Sequence, residues 1–177
     1  MNILTQTPRL IIRRFKAEEE EMYLALYDDE RVMQYLPFRT RQEHIQIFRE
    51  HLPKGAPGSV TGRWGLFNKA DNDFIGMCLL RPFDNDSGEI ELGYAMKYDY
   101  WGKGIASEMA IALLGYMLTV QPNAKFGAVT DLENIPSQRV LEKAGMQRRE
   151  NYWRAGMELA YFRFVGVAND YKESPET

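Results

Sequence analysis

Three apolar runs of strand length, residues 63–68, 74–83 and 89–97, follow one another with only Ala70-Asp71-Asn72-Asp73 and Asp84-Asn85-Asp86-Ser87-Gly88 between them. Connections this short join antiparallel neighbours, because a parallel pair needs a crossover of a dozen or more residues. Residues 63–97 therefore read as an antiparallel meander, and everything else in the chain must be arranged around that sheet. A helix follows at once: residues 105–118 carry apolar side chains at 105, 109, 112, 113, 116 and 117, the period of one helical face.

The flanking segments are read with the same rules. Residues 9–15 alternate behind Pro8 as a first strand. Residues 17–29 begin with glutamates that complement a helix dipole, and a second short helix carries Val32, Met33 and Leu36 before Pro37 ends it. Thr40 resembles an N-cap for a helix running to about His51, with Ile45 and Phe48 facing inward, and 53–62 reads as a loop. Downstream come a strand at 126–130, a helix at 136–144 closed by Gly145, a final hairpin from 146–153 and 158–167, and a frayed end at 169–177. This order predicts an α+β fold, a mixed and mostly antiparallel sheet with helices on both faces, in a single domain over residues 1–177.

Composition excludes several classes of function. The 22 Lys and Arg against 25 Asp and Glu give a net charge of −3, which offers no general attraction to nucleic acid or to an anionic lipid surface. No membrane span or secretory leader is evident, so a cytoplasmic protein is expected. The one cysteine, Cys78, lies in Ile75-Gly76-Met77-Cys78-Leu79-Leu80 and reads as a buried strand residue without a nucleophile's surroundings. His44 and His51 are seven apart on one expected helix, with no cysteine pair or HExxH spacing. No metal site is expected, and both read as ordinary helix-face residues.

Chemistry concentrates in Trp101-Gly102-Lys103-Gly104-Ile105-Ala106. Two glycines between a strand and a strong helix let backbone approach a ligand while the first helical N–H groups stay unpaired, an arrangement suited to a pyrophosphate. Ser107 adds a hydroxyl in the first turn and Lys103 a nearby positive charge. Taken alone, the same pattern also describes a tight turn that binds nothing.

A wider set of residues narrows the choice. Glu91-Leu92-Gly93-Tyr94-Ala95-Met96, the Trp101–Ala106 loop, and Asn134-Ile135-Pro136-Ser137 through Glu142-Lys143-Ala144-Gly145-Met146 together resemble the cofactor half of the GNAT superfamily of acyl-CoA-dependent N-acyltransferases. Thr7-Pro8-Arg9-Leu10-Ile11-Ile12-Arg13, Val32-Met33-Gln34-Tyr35-Leu36-Pro37 and Phe74-Ile75-Gly76 resemble its Rim-type branch, which acetylates N-termini of ribosomal proteins and has relatives acting on small amines. Two positions depart from the pattern: Trp101 stands where Arg or Gln is usual, and Leu141 where many members carry a general-acid tyrosine.

The resemblance implies acetyl-CoA as co-substrate, an amine acceptor that attacks the thioester directly, and no metal. It places coenzyme A against Tyr94, Ala95, Met96, Trp101, Gly102, Lys103, Gly104, Ile105, Ala106, Ser107, Asn134 and Ser137. Alternation puts Glu89 and Glu91 on one side of the strand, where both could project toward a substrate cleft, and Glu91, closer to the cofactor end, is the first choice of base; both would otherwise be solvent-facing. A backbone N–H near Met96 would support the oxyanion. Ser137 would protonate the thiolate unless it merely satisfies a helix end, with Tyr94, Tyr98 and Tyr100 as alternatives. Asn134 either contacts the cofactor or caps the helix. Acceptor contacts are expected among Tyr35, Phe38, Arg39, Tyr152, Trp153 and Tyr161, in a monomer or homodimer whose acceptor is a peptide N-terminus or a small amine.

Two rivals stand beside this reading. One is a silent acyl-CoA-binding or sensor protein, favoured by the missing tyrosine. The other is a dinucleotide-binding oxidoreductase, suggested by Gly102-x-Gly104 and Asp131 but opposed by Ser107 in place of a third glycine.

Overall fold

The computed structural model describes residues 3–52, 61–84 and 87–164. Among the described residues nine strands form one sheet: β1 (Ile3–Gln6), β2 (Leu10–Arg13), β3 (Gly62–Asn68), β4 (Phe74–Pro82), β5 (Ile90–Met96), β6 (Phe126–Asp131), β7 (Met146–Arg148), β8 (Tyr152–Arg154) and β9 (Met157–Phe164). The helices are α1 (Glu20–Ala25), α2 (Glu30–Met33), α3 (Arg41–Glu50), α4 (Ile105–Val120) and α5 (Ile135–Lys143). Strand order is β1-β2-β3-β4-β5-β6-β9-β7, with β8 also paired to β9. Every pairing is antiparallel except β5 with β6, and α4 supplies the crossover that a parallel pair requires.

The expected α+β sheet and its meander are present, and several local boundaries differ. β1 was not anticipated: it is four residues long, with no buried side chain, so it carries little pattern. The helix expected over 17–29 is a 3₁₀ turn at Ala17–Glu19 followed by the six-residue α1. It stops early because Asp29 opens α2, its carboxylate accepting from the Arg31 backbone N–H. Thr40 caps α3 as expected, within a reciprocal box with Glu43. The last hairpin is interrupted: β7 and β8 lie in sequence along one edge of β9, and Arg149 still donates to the Tyr161 carbonyl across the break. Ala155 and Gly156, both at positive φ, make the tight turn into β9. Residues 53–60, 165–167 and 169–177, assigned above to a loop, the end of a strand and a frayed tail, lie outside the described residues.

The sheet separates two cores. Against one face pack α4 and α5, burying Leu92, Met96, Met109, Leu113, Phe126 and Leu141, with Cys78 sealed among them. Against the other lie α1 to α3, whose Tyr23, Leu24 and Phe48 meet Phe15, Phe67, Phe74 and Met77. His44 corrects its expectation as a helix-face residue. It is buried and stacks on Tyr27 with ring centroids 3.8 Å apart.

Candidate active site

β5 and β6 part company part-way along their length. Ile90 donates its backbone N–H to the Lys125 carbonyl at 2.8 Å, and the registered pairs are Ile90 with Phe126 and Glu91 with Gly127. β5 keeps β4 as its partner to Met96, and β6 keeps β9 to Asp131, so the two diverge into a wedge beyond Glu91. Backbone groups alternate sides along a strand. The N–H groups of Leu92, Tyr94 and Met96 therefore share the side of Ile90: that of Leu92 completes the Glu91–Gly127 pair, and those of Tyr94 and Met96 point into the wedge. Consistently, the next residue, Lys97, donates the other way, to Ile75 of β4. The Trp101 indole N–H closes the end of β5 by donating to the Met96 carbonyl at 2.9 Å.

The glycine loop lies at the mouth of this wedge. A 3₁₀ turn, Tyr98–Tyr100, leads to Gly102 at φ +71° and Gly104 at φ +73°, left-handed conformations that a side chain resists. A Cβ at Gly102 would meet nothing within 4 Å, so the loop's outer face is open to close approach. No side chain caps α4, which leaves its first N–H groups for an anion. Ile105 is buried beneath the loop, Ala106 and Ser107 are half-buried, and Lys103 is exposed. These features fit a pyrophosphate-bearing group on the structure's own terms.

Arg9 and Glu108 join the site from outside the residues that the sequence singles out for it. Arg9 donates through Nη1 to the Lys103 carbonyl at 2.9 Å and through Nε to Glu108 at 2.6 Å, while Thr7 also donates to Glu108. Burial pushes the Glu108 carboxyl up, but hydrogen bonds from Thr7 and Arg9 outweigh it and hold the group below its ordinary range. Arg9 thus braces the loop and adds positive charge beside it. No local signal marks contacts that span some hundred residues.

On the helical side of the wedge, the Tyr94 hydroxyl donates to Ser137 Oγ at 3.0 Å. The two residues considered separately as proton donors form one pair, and Ser137 retains its own proton to give. Burial pushes the Tyr94 phenol up to about 12, so it stays protonated at neutral pH. Asn134 caps α5: its Oδ1 accepts from the Ser137 backbone N–H at 3.1 Å, which leaves its NH₂ for another partner. Leu141 is 2% exposed and wholly part of the core.

The opposite face holds the acidic pair, and neither carboxylate is solvent-facing. Glu91 is buried, and its two oxygens accept four N–H bonds of 2.9–3.0 Å from Arg81 and Arg154. A carboxylate offers about four acceptor sites, so this one is saturated. Arg154 also grips Asp84 at 2.8 Å, and its hydrogen bonds, acting against burial, hold Asp84 below its usual range. Glu89 is buried too, taking the Tyr161 hydroxyl at 2.6 Å and the Arg163 guanidinium. Burial first and Glu89 second push the Tyr161 phenol up to about 12. Ala95 shares this face and is buried, whereas Phe38 and Trp153 are 85% and 64% exposed. Arg81 and Arg154 were not anticipated, although the register Arg81 to Glu91 follows from the meander.

Among the described residues no group of three His, Cys, Asp or Glu side chains is placed to hold a metal, and no helix is long and apolar enough to cross a membrane. Known proteins match along most of the chain. A family model described as "Acetyltransferase (GNAT) domain" covers residues 9–147. An uncharacterized N-acetyltransferase of Bacillus subtilis, YnaD, is 31% identical over 159 residues, 84% of each chain. A GNAT-family acetyltransferase from Bacillus anthracis superposes with a TM-score of 0.74 at 24% identity, over 92% of this chain and 96% of its own. The ribosomal L7/L12 alpha-N-protein acetyltransferase RimL, solved with coenzyme A, gives 0.74 at 14% identity over 92% and 97%. The parted strands, the open glycine loop and these matches lead to one conclusion: the chain belongs to the GNAT acetyltransferase family.

Proposed function

We propose that this protein is an N-acetyltransferase that moves the acetyl group of acetyl-CoA to a primary amine within a ternary complex. The observation that carries the reading is the wedge between β5 and β6 opening beside the uncapped N-terminus of α4. When bound, acetyl-CoA supplies the activated thioester. The backbone of Gly102 to Ser107, with Lys103 and Arg9 nearby, holds the pyrophosphate. The N–H groups of Tyr94 and Met96 bind the pantetheine arm and support the carbonyl oxygen as charge develops on it. The Asn134 NH₂ contacts the arm's amides, and the Ser137 hydroxyl, backed by Tyr94, protonates the departing sulfur.

Glu91 remains the proposed acceptor of the amine proton, directly or through a water, on condition that Arg81, the more exposed of its two partners, swings aside. Saturation of its carboxylate supports a second reading, in which Glu91 is a positioning residue that anchors Arg154 and the β8–β9 hairpin.

Release of free thiol from acetyl-CoA across peptide N-termini, polyamines, aminoglycosides and amino acids tests the activity. Cys78 is fully buried and its thiol is pushed up by desolvation, so it adds no background. Amine-dependent release is expected; tight binding of CoA without turnover on any acceptor would instead make the chain a silent acyl-CoA sensor. Glu91→Gln separates the two roles: loss of rate confined to low pH marks a base, and equal loss at every pH marks a positioning group.

A further inference from the structure

On the sheet face opposite α4, a cavity of about 100 Å³ lies between α1 and α3, lined by Leu24, Tyr27, Asp28, Arg39, Arg41 and His44. His44 is only 5% exposed, yet neither ring nitrogen has a hydrogen-bond partner. An imidazole carries at least one N–H, and a buried donor left unpaired is costly to the fold. A second orphan is close by: Arg63 Nε is buried and unpartnered. Neither Arg39 nor Arg63 makes a hydrogen bond or ion pair among the described residues; both lower the His44 pKa after burial, the larger cause, while Glu43 and Asp28 act more weakly in the opposite sense.

The carboxylates nearby are already engaged. Asp28 pairs with Arg41, which also binds Glu21 at 2.6 Å, and Glu43 accepts from Thr40 in the α3 capping box. Arg39 and the buried imidazole thus line one small space with Asp28, whose carboxylate is shared with Arg41, while Arg63 lies within electrostatic range of His44 and Tyr27 and has no ion pair of its own among the described residues.

Register places this cavity relative to the wedge. Arg63 of β3 pairs with Leu79 of β4, and Leu79 with Gly93 of β5, so the three form one row on the Glu91 face. Adjacent strands lie about 4.8 Å apart, which puts Arg63 roughly 10 Å from Gly93. Leu79 and Gly93 are both only half-buried, and the Leu79 side chain leans over Gly93, so an acceptor on this row would lie against Leu79.

We propose that this cavity binds a small oxyanion, a carboxylate or phosphate group, held by Arg39 with His44 donating from beneath and Arg63 adding positive charge from β3. The row to Gly93 places that group at the far end of an amine acceptor laid across β3, β4 and β5. The acceptor assignment rests on the transferase reading above, whereas binding of the anion does not. An oxyanion answers both the unpaired donors and the guanidiniums of Arg39 and Arg63, which have no ion pair among the described residues. A polyamine would meet repulsion at this end.

The chain has only two histidines, so imidazole NMR resolves His44 directly. Titration with sodium acetate or inorganic phosphate at constant pH and ionic strength is expected to shift the His44 signals saturably, leave His51 unmoved, and weaken at least about tenfold in Arg63→Met or Arg39→Gln, as loss of a charged hydrogen bond implies. This arm requires neither acetyl-CoA nor turnover. In the second arm, ω-amino acids of graded length are compared with their amides in the thiol-release assay. A kcat/KM preference for the carboxylate that collapses in Arg63→Met assigns the anion to the acceptor. A saturable His44 shift without that preference assigns it to a free ion. No saturable shift with either anion, or shifts unchanged in both arginine variants, would reduce the cavity to a water site and overturn the proposal.

Discussion

Replacing Gly102 with alanine separates the loop's shape from its chemistry. The residue sits at φ +71°, and a Cβ built there meets nothing within 4 Å, so the folded protein suffers conformational strain and no clash. A left-handed conformation costs an L-residue roughly 1–2 kcal/mol. For a chain of this length each kcal/mol lowers Tm by about 2–4 °C, which predicts a fall of roughly 2–8 °C. Gly88 provides the control: it has the same φ of +71° and the same empty surroundings, but lies in the β4–β5 connection away from the loop. Gly88→Ala should therefore lose the same stability. The two differ in binding, since a methyl on the open face of Gly102 stands where the pyrophosphate approaches the backbone. Losing one charge-assisted hydrogen bond there, about 1.5–3 kcal/mol, raises the Kd for coenzyme A roughly 10- to 150-fold, while Gly88→Ala leaves it unchanged. Thermal melts and calorimetric titration with CoA measure both quantities. Equal Kd values for the two variants would show that the pyrophosphate does not lie on this loop.

Other expectations follow from the same structure. Arg154→Met leaves Glu91 with one guanidinium and Asp84 with none; because Arg81 remains and Asp84 is half-exposed, a loss of about 2–3 kcal/mol in urea unfolding is expected, below the full cost of breaking a buried pair. Tyr94→Phe keeps the part-buried ring and removes the bond to Ser137, so single-turnover acetyl transfer should slow with little change in Tm; an unchanged rate would take Tyr94 out of the proton path. His44 has a folded-state pKa below its ordinary 6.5, through burial first and then Arg39 and Arg63. The unfolded chain therefore takes up the proton first, and the contribution to stability is complete above about 6.5 and is lost as pH falls through the folded value. Urea midpoints between pH 5 and 7.5 should show a steeper acid decline in wild type than in His44→Phe, which keeps the stack on Tyr27.

Much of this architecture was legible because it is local. The short polar connections of the meander, the 3.6-residue period of α4, the Thr40 cap and the turn at Gly145 each act within a few residues, and each is found where local rules place it. The glycine loop was legible for the same reason: positive φ at Gly102 and Gly104 is a property of the backbone there. Failures arose where an element lacks its own pattern, as in β1, or where a competing cap cut a helix short, as at Asp29.

By itself the amino-acid order determined the sheet's antiparallel core, the strand–loop–helix unit that suits an anion, and the alternation that sets Glu89 and Glu91 apart from Tyr94 and Met96. Only the tertiary structure decided what those groups meet. Arg9 reaches the Lys103 carbonyl, Tyr94 finds Ser137, Glu91 is gripped from β4 and β8 at once, and His44 is shut in without a partner. Backbone conformation is governed by neighbours in the chain, whereas ion pairing and burial depend on which distant segments pack together.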